Sequence, residues 1–454
     1  MKLEDMVLFS VDDHIIEPPD MFDSRMPAKF ADGWPKHHHA ENGDDFWSFE
    51  GRILKYMGSN AVVGRPREEY GFEPSSLSQM RPGCYDVHAR IGDMNANGIA
   101  CSINFGSMSG FCGETFMQAK DKALGLAALQ AWNDWHIEDW AGAYPGRLAP
   151  MAILPLWDPQ LAAAEVRRVK AKGCNVISFH PNPIMLGLPS FHTDYWDPIW
   201  QVCVDEEITI CLHFADGSYS VPSPDSPVDV MISNMPIGLY RVASDLVYSP
   251  VLRKFPAIQF AMSESGAGWV PYMKQRIDCV FRLHSQWTRQ DFDGKRPSEI
   301  FDRNFATSFI DDPVGVLLRH EVGIQNMTWE VDYPHADCTW PQSPETLWRD
   351  LVAANVPDDE IEIMTHRNAI RLFKLDPFKH FKREEITVGA LRQKAKEMGV
   401  DTSPMKTDGA GRPPSESDRG PVSMRDMAKQ IAEAGGGAAG AAAGRPDETI
   451  MVTQ

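Results

Sequence analysis

The sequence predicts an α/β fold, a (β/α)8 TIM-like barrel with an insertion after its first strand and a C-terminal helical arm and flexible tail. Three observations predict it. Eight short runs rich in β-branched, aromatic or other apolar residues recur along the chain, each bounded by turn chemistry. Longer stretches with helical spacing separate several of them, and eight strands alternating with helices is the number that closes a parallel barrel. Histidines and carboxylates fall at the C-terminal ends of the runs, the ends that gather around one mouth in such a barrel and carry its chemistry.

Taken in order, the first strand is MVLFSVDD (6–13), which runs into Asp12, Asp13, His14 and Glu17 before Pro18 and Pro19 stop it. Residues from about 23 to 92 break the repeat and read as a hairpin and loops inserted near the mouth, where they would cover a site. The next strands are ACSINFGS (100–107), RLAPMAILPL (147–156) and GCNVISFHPN (173–182), the last ending in His180. ITICLHFADGS (208–218) carries His213, IQFAMSES (258–265) carries Glu264, FATSFIDD (305–312) follows, and MTWEVDYPH (327–335) ends in Asp332 and His335. Helical spacing appears in 121–142, 159–173, 197–207 and 343–355, and HRNAIRLFKLD (366–376) reads as a closing amphipathic helix. The domain division expected is 1–378 for the barrel and 379–454 for an arm that ends in the Gly/Ala-rich AEAGGGAAGAAAGRPDE.

Composition narrows the function classes. With 43% hydrophobic and 24% charged residues the chain has material for a large core, and a net charge of −19 sets its field against phosphates and anionic lipid headgroups. Nucleic acid and membrane are therefore not expected as partners. No apolar run reaches transmembrane length and the N-terminal residues show no secretory pattern, so a cytoplasmic location is expected. The eight cysteines are scattered without a CxxC pair and read as buried thiols. The HHH at 37–39 is internal and lacks ligand spacing, so it reads as solvated loop.

Positions i and i+2 of a strand share a face, so Asp12 and His14 can point at one ion. Neutral imidazole and carboxylate oxygen at several strand ends are a ligand set for Zn²⁺ or Mn²⁺. VDDHIIEP, CLHF, SESGAGWVPY, VDYPHADCTWP and HRNAIRLFKLD, in that order, resemble the amidohydrolase-related family that includes aminocarboxymuconate semialdehyde decarboxylase and the resorcylate-type decarboxylases; RPGCYDVHARIGDMNANGIA (81–100) is similar to that family's element before the second strand. The resemblance covers about residues 7–376 and implies a mononuclear metal-dependent enzyme.

Carried over residue by residue, it implies Asp12, His14, His213 and Asp332 as metal ligands, with Asp332 also handling protons. Glu17 is implied to hold a loop or a ligand. The sequence departs from the family at three points. Asp12 stands where many members carry His, which makes a harder ion such as Mn²⁺ suitable beside the Zn²⁺ expected first. SESGAGW carries Glu264 where many carry His, with Ser263 and Ser265 flanking it as alternatives for the acid/base position. The fourth strand ends in His180 with no lysine that could bridge two metals. His180 is expected among the catalytic residues, in contact with substrate, with His335 near substrate and Trp340 as an apolar wall.

One divalent ion in such a site serves two reactions. The expectation is non-oxidative decarboxylation of an aromatic or enoic carboxylic acid, with Asp332 or Glu264 delivering a proton to carbon. The alternative is hydrolysis of an amide, ester or lactone by metal-bound water, with Asp332 as base. A non-catalytic member that binds a small ligand is the third reading. A small-molecule substrate is the expected partner, and the resemblance allows a homodimer.

Overall fold

The computed structural model describes residues 1–54, 58, 60–71, 74, 76–214, 221–405 and 421–433. Its strands are β1 (Phe9–Ile15), β2 (Lys36–His39), β3 (Asp45–Phe49), β4 (Arg52–Leu54), β5 (Cys101–Gly106), β6 (Leu148–Ala149), β7 (Val176–Phe179), β8 (Thr209–His213), β9 (Gln259–Ser263), β10 (Phe305–Phe309) and β11 (Met327–Trp329). Each of the eight predicted runs holds one strand, the third reduced to two residues because Pro150 follows it directly and withholds a ladder donor.

The eight do not form one continuous ladder. β1, β5 and β6 make a three-stranded parallel sheet, and β7 to β11 make a five-stranded parallel sheet in sequential order. Backbone contacts join the two at both edges. Beyond β6, Ala152 bridges to Ile177, with Ala152 N–H donating to Val176 O (3.0 Å) and Ser178 N–H to Ala152 O (2.9 Å). Beyond β11 the chain returns against β1: Asp332 N–H donates to Asp12 O (2.8 Å) and His14 N–H to Tyr333 O (2.6 Å). The molecule is thus an α/β fold of parallel sheets with flanking helices.

Strand alternation places the core. Phe9, Val11, Ile103, Phe105, Met151, Val176, Cys211, Ala261 and Ala306 gather in one apolar cluster between the sheets. A larger cluster, including Trp132, Trp196, Trp200, Phe260 and Trp329, fills the space under the helices. Cys211 sits in the inner cluster and His213, two residues on, reaches the site, so one face passes from apolar to ligand-bearing at the strand end.

The region after β1 holds the antiparallel sheet β2–β3–β4, and the helix Val87–Asn97 opens within the stretch read as insertion, capped by Asp86, whose carboxylate accepts from Ala89 N–H. Val63 of the insertion donates its N–H to Pro334 O (3.0 Å), which ties it to the loop after β11. The HHH forms β2: His38 meets Ser48 Oγ at 2.7 Å and His39 meets Asp45 at 2.8 Å. Trp140, Trp196 and Trp200 are fully enclosed, as is every cysteine but the half-buried Cys279.

Past residue 378 the helix Val388–Met398 packs on Val87–Asn97, and Ile386, Val388 and Leu391 are buried with the core. Residues 421–433 return to the helix Val228–Tyr248: Val228 N–H donates to Val422 O (2.9 Å) and Met427 is buried against Val228 and Met231. The Gly/Ala-rich tail lies almost wholly outside the described residues. Among the described residues no helix is long and apolar enough to cross a membrane.

Candidate metal centre and its cleft

The site begins with a bulge. Between Ser10 and Asp13 the register of β1 against β5 slips by one residue, which bends the strand where its ligands stand. Asp13 turns into a polar cradle: Ser10 Oγ donates to it at 3.0 Å, Tyr333 N–H at 3.0 Å, and Ser102 Oγ also donates. Arg90, fully buried, donates to His14 O and Gly83 O and lies 4.2 Å over the Tyr333 ring, so it braces the end of β1 and does not line the cleft. Burial pushes the Asp13 carboxyl up to about 6 while Arg90 pulls it down.

Asp12 and His14 then meet His213 and Asp332. His14 Nε2 is 3.3 Å from Asp12 Oδ1 and 3.3 Å from Asp332 Oδ1; His213 Nε2 is 3.4 Å from Asp12 Oδ2, and the two imidazole Nε2 atoms face each other at 3.2 Å. Glu264 Oε2 lies 3.6 Å from His213 Nε2, and His335 Nδ1 lies 2.8 Å from Asp332 Oδ1. Two groups of donor atoms come close enough to share an ion, Asp12–His14–His213 and His14–Glu264–Asp332–His335. The backbone at Glu264 (φ 51°) and Asp332 (φ 58°) is left-handed, an uncommon conformation for a carboxylate residue that here aims both side chains inward.

The donor set asks for a cation. Neither oxygen of Asp12 and neither of Asp332 has a hydrogen-bond partner, although all four are buried; Glu264 Oε2 and the Nδ1 atoms of His14 and His213 share that condition. Burial, followed by repulsion among neighbouring carboxylates, drives the carboxyls of Asp12 and Glu264 well above their usual range. Burial likewise drives Asp332 up, with the contact from Glu264 pulling it down. Burial also holds His14 and His213 far below the usual imidazole range and brings His335 down to about 4, which keeps these rings neutral. Neutral imidazoles with opposed nitrogens and carboxylates without partners are what a divalent ion satisfies, so the residues present fit a metal.

The other expected residues fall at different distances from this centre. Glu17 is a brace: it accepts from Met108 N–H (2.7 Å), Ser109 N–H (3.2 Å), Ser109 Oγ (3.2 Å) and Trp132 Nε1 (2.9 Å). That holds the loop after β5, which carries Phe111 over His14 (5.0 Å between centroids) and His213 (4.1 Å). His180 is in neither donor group; its Nδ1 accepts from Asn182 N–H (3.0 Å) and its Nε2 is 4.0 Å from Glu114. Trp340 donates to Asp93 O (3.0 Å) beneath the Arg81 guanidinium. Ser265 exchanges hydrogen bonds with the Ser308 backbone, which leaves Glu264 as the residue of SESGAGW in the cluster.

A cleft of about 320 Å³ opens beside the cluster, lined by Phe214, Met235, Trp269, Glu264, Glu330 and Asp337 among others. Glu330 was not among the residues picked from the sequence. Its signal was there: Glu330 and Asp332 stand at i and i+2 in MTWEVDYPH, the spacing that selects Asp12 and His14. Phe111 had no such signal, since only Glu17 and the fold bring its loop over the site.

Comparison with known proteins gives the chain's family and the folds it is similar to. The sequence model of the family described as Amidohydrolase matches residues 85–375, a span that starts after Asp12 and His14. Over 265 residues the chain is 24% identical to "Decarboxylase orsB" of Emericella nidulans, covering 53% of this chain and 73% of that protein. Its fold is similar to the amidohydrolase map2389c of Mycobacterium avium subsp. paratuberculosis K-10, with a TM-score of 0.63 at 18% identity over 81% of this chain and 99% of that one. It is also similar to a dihydroxybenzoic acid decarboxylase of Polaromonas sp. JS666, solved with manganese and 2-nitroresorcinol, with a TM-score of 0.53 at 18% identity over 81% of this chain and 97% of that one. With its inward-facing metal-competent cluster, the chain belongs to the Amidohydrolase family of enzymes.

Proposed function

We propose that this enzyme is a mononuclear, metal-dependent, non-oxidative decarboxylase of an aromatic or enoic carboxylic acid, with its strands acting as a distorted eight-stranded barrel around the site. The observation that carries the reading is the cluster in which His14 shares one group of close donor atoms with Asp12 and His213 and another with Asp332, Glu264 and His335, while the carboxylate oxygens of Asp12 and Asp332 are buried without hydrogen-bond partners. These four would hold the ion. When bound, a divalent metal supplies a Lewis-acidic anchor for the substrate carboxylate and an adjacent oxygen. Two aspartates in the set, and the manganese of the Polaromonas structure, favour Mn²⁺ beside Zn²⁺.

The chain's own groups would do the rest. Glu264 keeps its proton because burial and the neighbouring Asp332 charge disfavour its carboxylate, so it can donate to the carbon that loses CO₂. His335, neutral and in contact with Asp332, holds that carboxylate in orientation. Phe105 and Phe111 pack on the His14 and His213 imidazoles and exclude water from that side, which leaves Glu264 as the proton source for the carbon. Hydrolysis would use the same cluster with Asp332 taking a proton from water; the decarboxylase names among the relatives and the absence of a lysine at the end of β7 favour decarboxylation.

The test is elemental analysis of the wild type, His14→Ala and His213→Ala, followed by CO₂ release from hydroxybenzoates alongside ester and amide hydrolysis. About one Zn or Mn per chain, lost in both variants, with CO₂ release confined to the metal-loaded wild type, supports the reading. Metal-dependent hydrolysis without CO₂ release replaces it with the hydrolase. No metal uptake on titration removes the metal centre from both.

A further inference from the structure

The helix Val228–Tyr248 is anchored in two different ways. After Pro236, its residues Leu239, Val242, Ala243 and Leu246 are buried in the large cluster under the helices. Before Pro236, the buried Val228 and Met231 belong to a separate cluster whose third buried member is Met427, in the segment 421–433. Pro236 offers no N–H to the carbonyl of Ile232, which loosens the helix between the two parts.

The segment 421–433 also holds the first part through its backbone. Val228 N–H donates to Val422 O, Met424 N–H to Ser226 O and Arg425 N–H to Pro224 O, each at 2.9 Å. Arg425 pairs with Asp225 at 2.8 Å, and Pro227 and Ser423 face each other as an antiparallel bridge. A part of a fold with few buried apolar contacts of its own opens locally at lower cost than the core, so what docks on it sets its position.

That first part is a wall of the cleft. Ile232, Met235 and Pro236 line the cleft together with Phe214, Trp269 and Ile310, and Glu264 stands both on this lining and in a donor group of the metal cluster. Ile232 is 45% exposed, an apolar surface whose covering by a ligand is favourable. The Asp311 and Asp312 carboxylates on the lining are already engaged, by Arg349 (2.6 Å) and by the N–H groups of Ala267, Gly268 and Gly315 (each 2.7 Å).

We propose that the first turns of this helix receive an apolar substituent of the substrate and that residues 421–433 are a positioning element that holds them in place for it. The substrate is then an acid with an alkyl or aryl group directed at Ile232 and Met235. This rests on the carboxylic-acid reading of the site given above.

The test uses metal-loaded full-length protein and calorimetric binding of benzoate against its 3- and 4-butyl derivatives. Three proteins are compared: the wild type, Met427→Asp, and Met427→Asp combined with Pro227→Cys and Ser423→Cys. Opposed residues of such a bridge lie about 4.5 Å apart at Cα, within reach of a disulfide that glutathione disulfide closes and dithiothreitol opens. The expected result is that at least one butyl acid binds the wild type about tenfold or more tightly than benzoate, the scale of a partly buried butyl chain. Met427→Asp should abolish that gain while keeping its metal and its affinity for benzoate, a split that general destabilisation would not give. Closing the disulfide in the combined variant should restore the gain. No gain from either butyl group in the wild type overturns the proposal and leaves the acid reading standing, whereas failure of all three acids to bind overturns both. A gain undiminished in Met427→Asp also overturns the proposal. Should Met427→Asp lose metal or benzoate binding, the combined variant, its disulfide confirmed by mass, must recover the gain, and its failure to do so overturns the proposal.

Discussion

At the residue scale the centre is a problem of charge. Asp12, Glu330 and Asp332 are buried and Glu264 nearly so, within reach of one another, and Arg90, the fully buried cation nearby, donates to the backbone of Gly83 and His14. Removing a ligand imidazole should therefore cost the metal before it costs the fold. His213→Ala and Asp332→Ala are expected to lower activity by at least about a hundredfold, the scale of losing a group that acts on the reacting centre. Elemental analysis should show the ion lost and thermal melting should show a folded protein; full activity in either variant would remove that residue from the site.

His136 tests the buried imidazoles away from the centre. Its Nε2 is 2.9 Å from Asn104 O, and its Nδ1 accepts from Met151 N–H at 3.3 Å; burial lowers it to about 4. The unfolded chain takes up its proton near pH 6.5 and the folded chain only near 4, so the contribution is complete above 6.5 and is lost as the pH falls through that window. The shift corresponds to on the order of 3 kcal/mol. Melting temperature against pH should flatten between pH 6.5 and 4 in His136→Gln; an unchanged slope would assign the acid lability elsewhere.

At the scale of elements, loops reach the site only because buried side chains hold them. Glu17 satisfies three backbone N–H groups, a hydroxyl and an indole with one carboxylate, and so suspends Phe111 above the ligand rings. Glu17→Ala should cost about 2–4 kcal/mol, because several buried donors lose their acceptor together, and denaturant midpoints would measure it. Glu17→Gln, which keeps an acceptor oxygen, should cost less. A smaller loss in the alanine variant than in the glutamine variant would contradict the brace. Arg81 and Asp93 work similarly below Trp340, with 2.7 Å between Arg81 Nη2 and Asp93 Oδ1 and the guanidinium 4.2 Å over the indole. Trp340 is thereby committed to packing.

At the scale of the whole molecule the C-terminal segments separate into two roles. Val388 and Leu391 sit in the core, so a chain ending at residue 384 should lose cooperative melting. A chain ending at 405 loses the 421–433 contact with the helix Val228–Tyr248, a cluster of Met427, Val228 and Met231. It should still fold, with its melting temperature lower by a few degrees, about the effect of one or two kcal/mol. Ile232, Met235 and Pro236 of the same helix line the cleft, so KM should rise more than kcat falls. Equal losses in both truncations would mean that the two segments stabilise as one unit.

What the sequence by itself determined is the local part. Apolar and β-branched runs with Pro/Gly punctuation located eight strands, and polar residues at their ends marked Asp12, His14, His213, Glu264 and Asp332 as candidates that the structure brings close together, because both signals are properties of neighbouring residues. The choice among Ser263, Glu264 and Ser265 needed the left-handed backbone at Glu264, which no local pattern announces. Glu330 stands on the same alternation as Asp332. Only the tertiary structure decided that Phe111 covers the His14 and His213 rings, that Glu17 holds the loop after β5 and Trp340 packs against Arg81, that His180 stands apart from the donor groups, and that Ile386, Val388, Leu391 and Ala395 are buried with the core. Each of these depends on contacts between segments tens to hundreds of residues apart, whose meeting is set by how helices and sheets pack and not by the residues beside them.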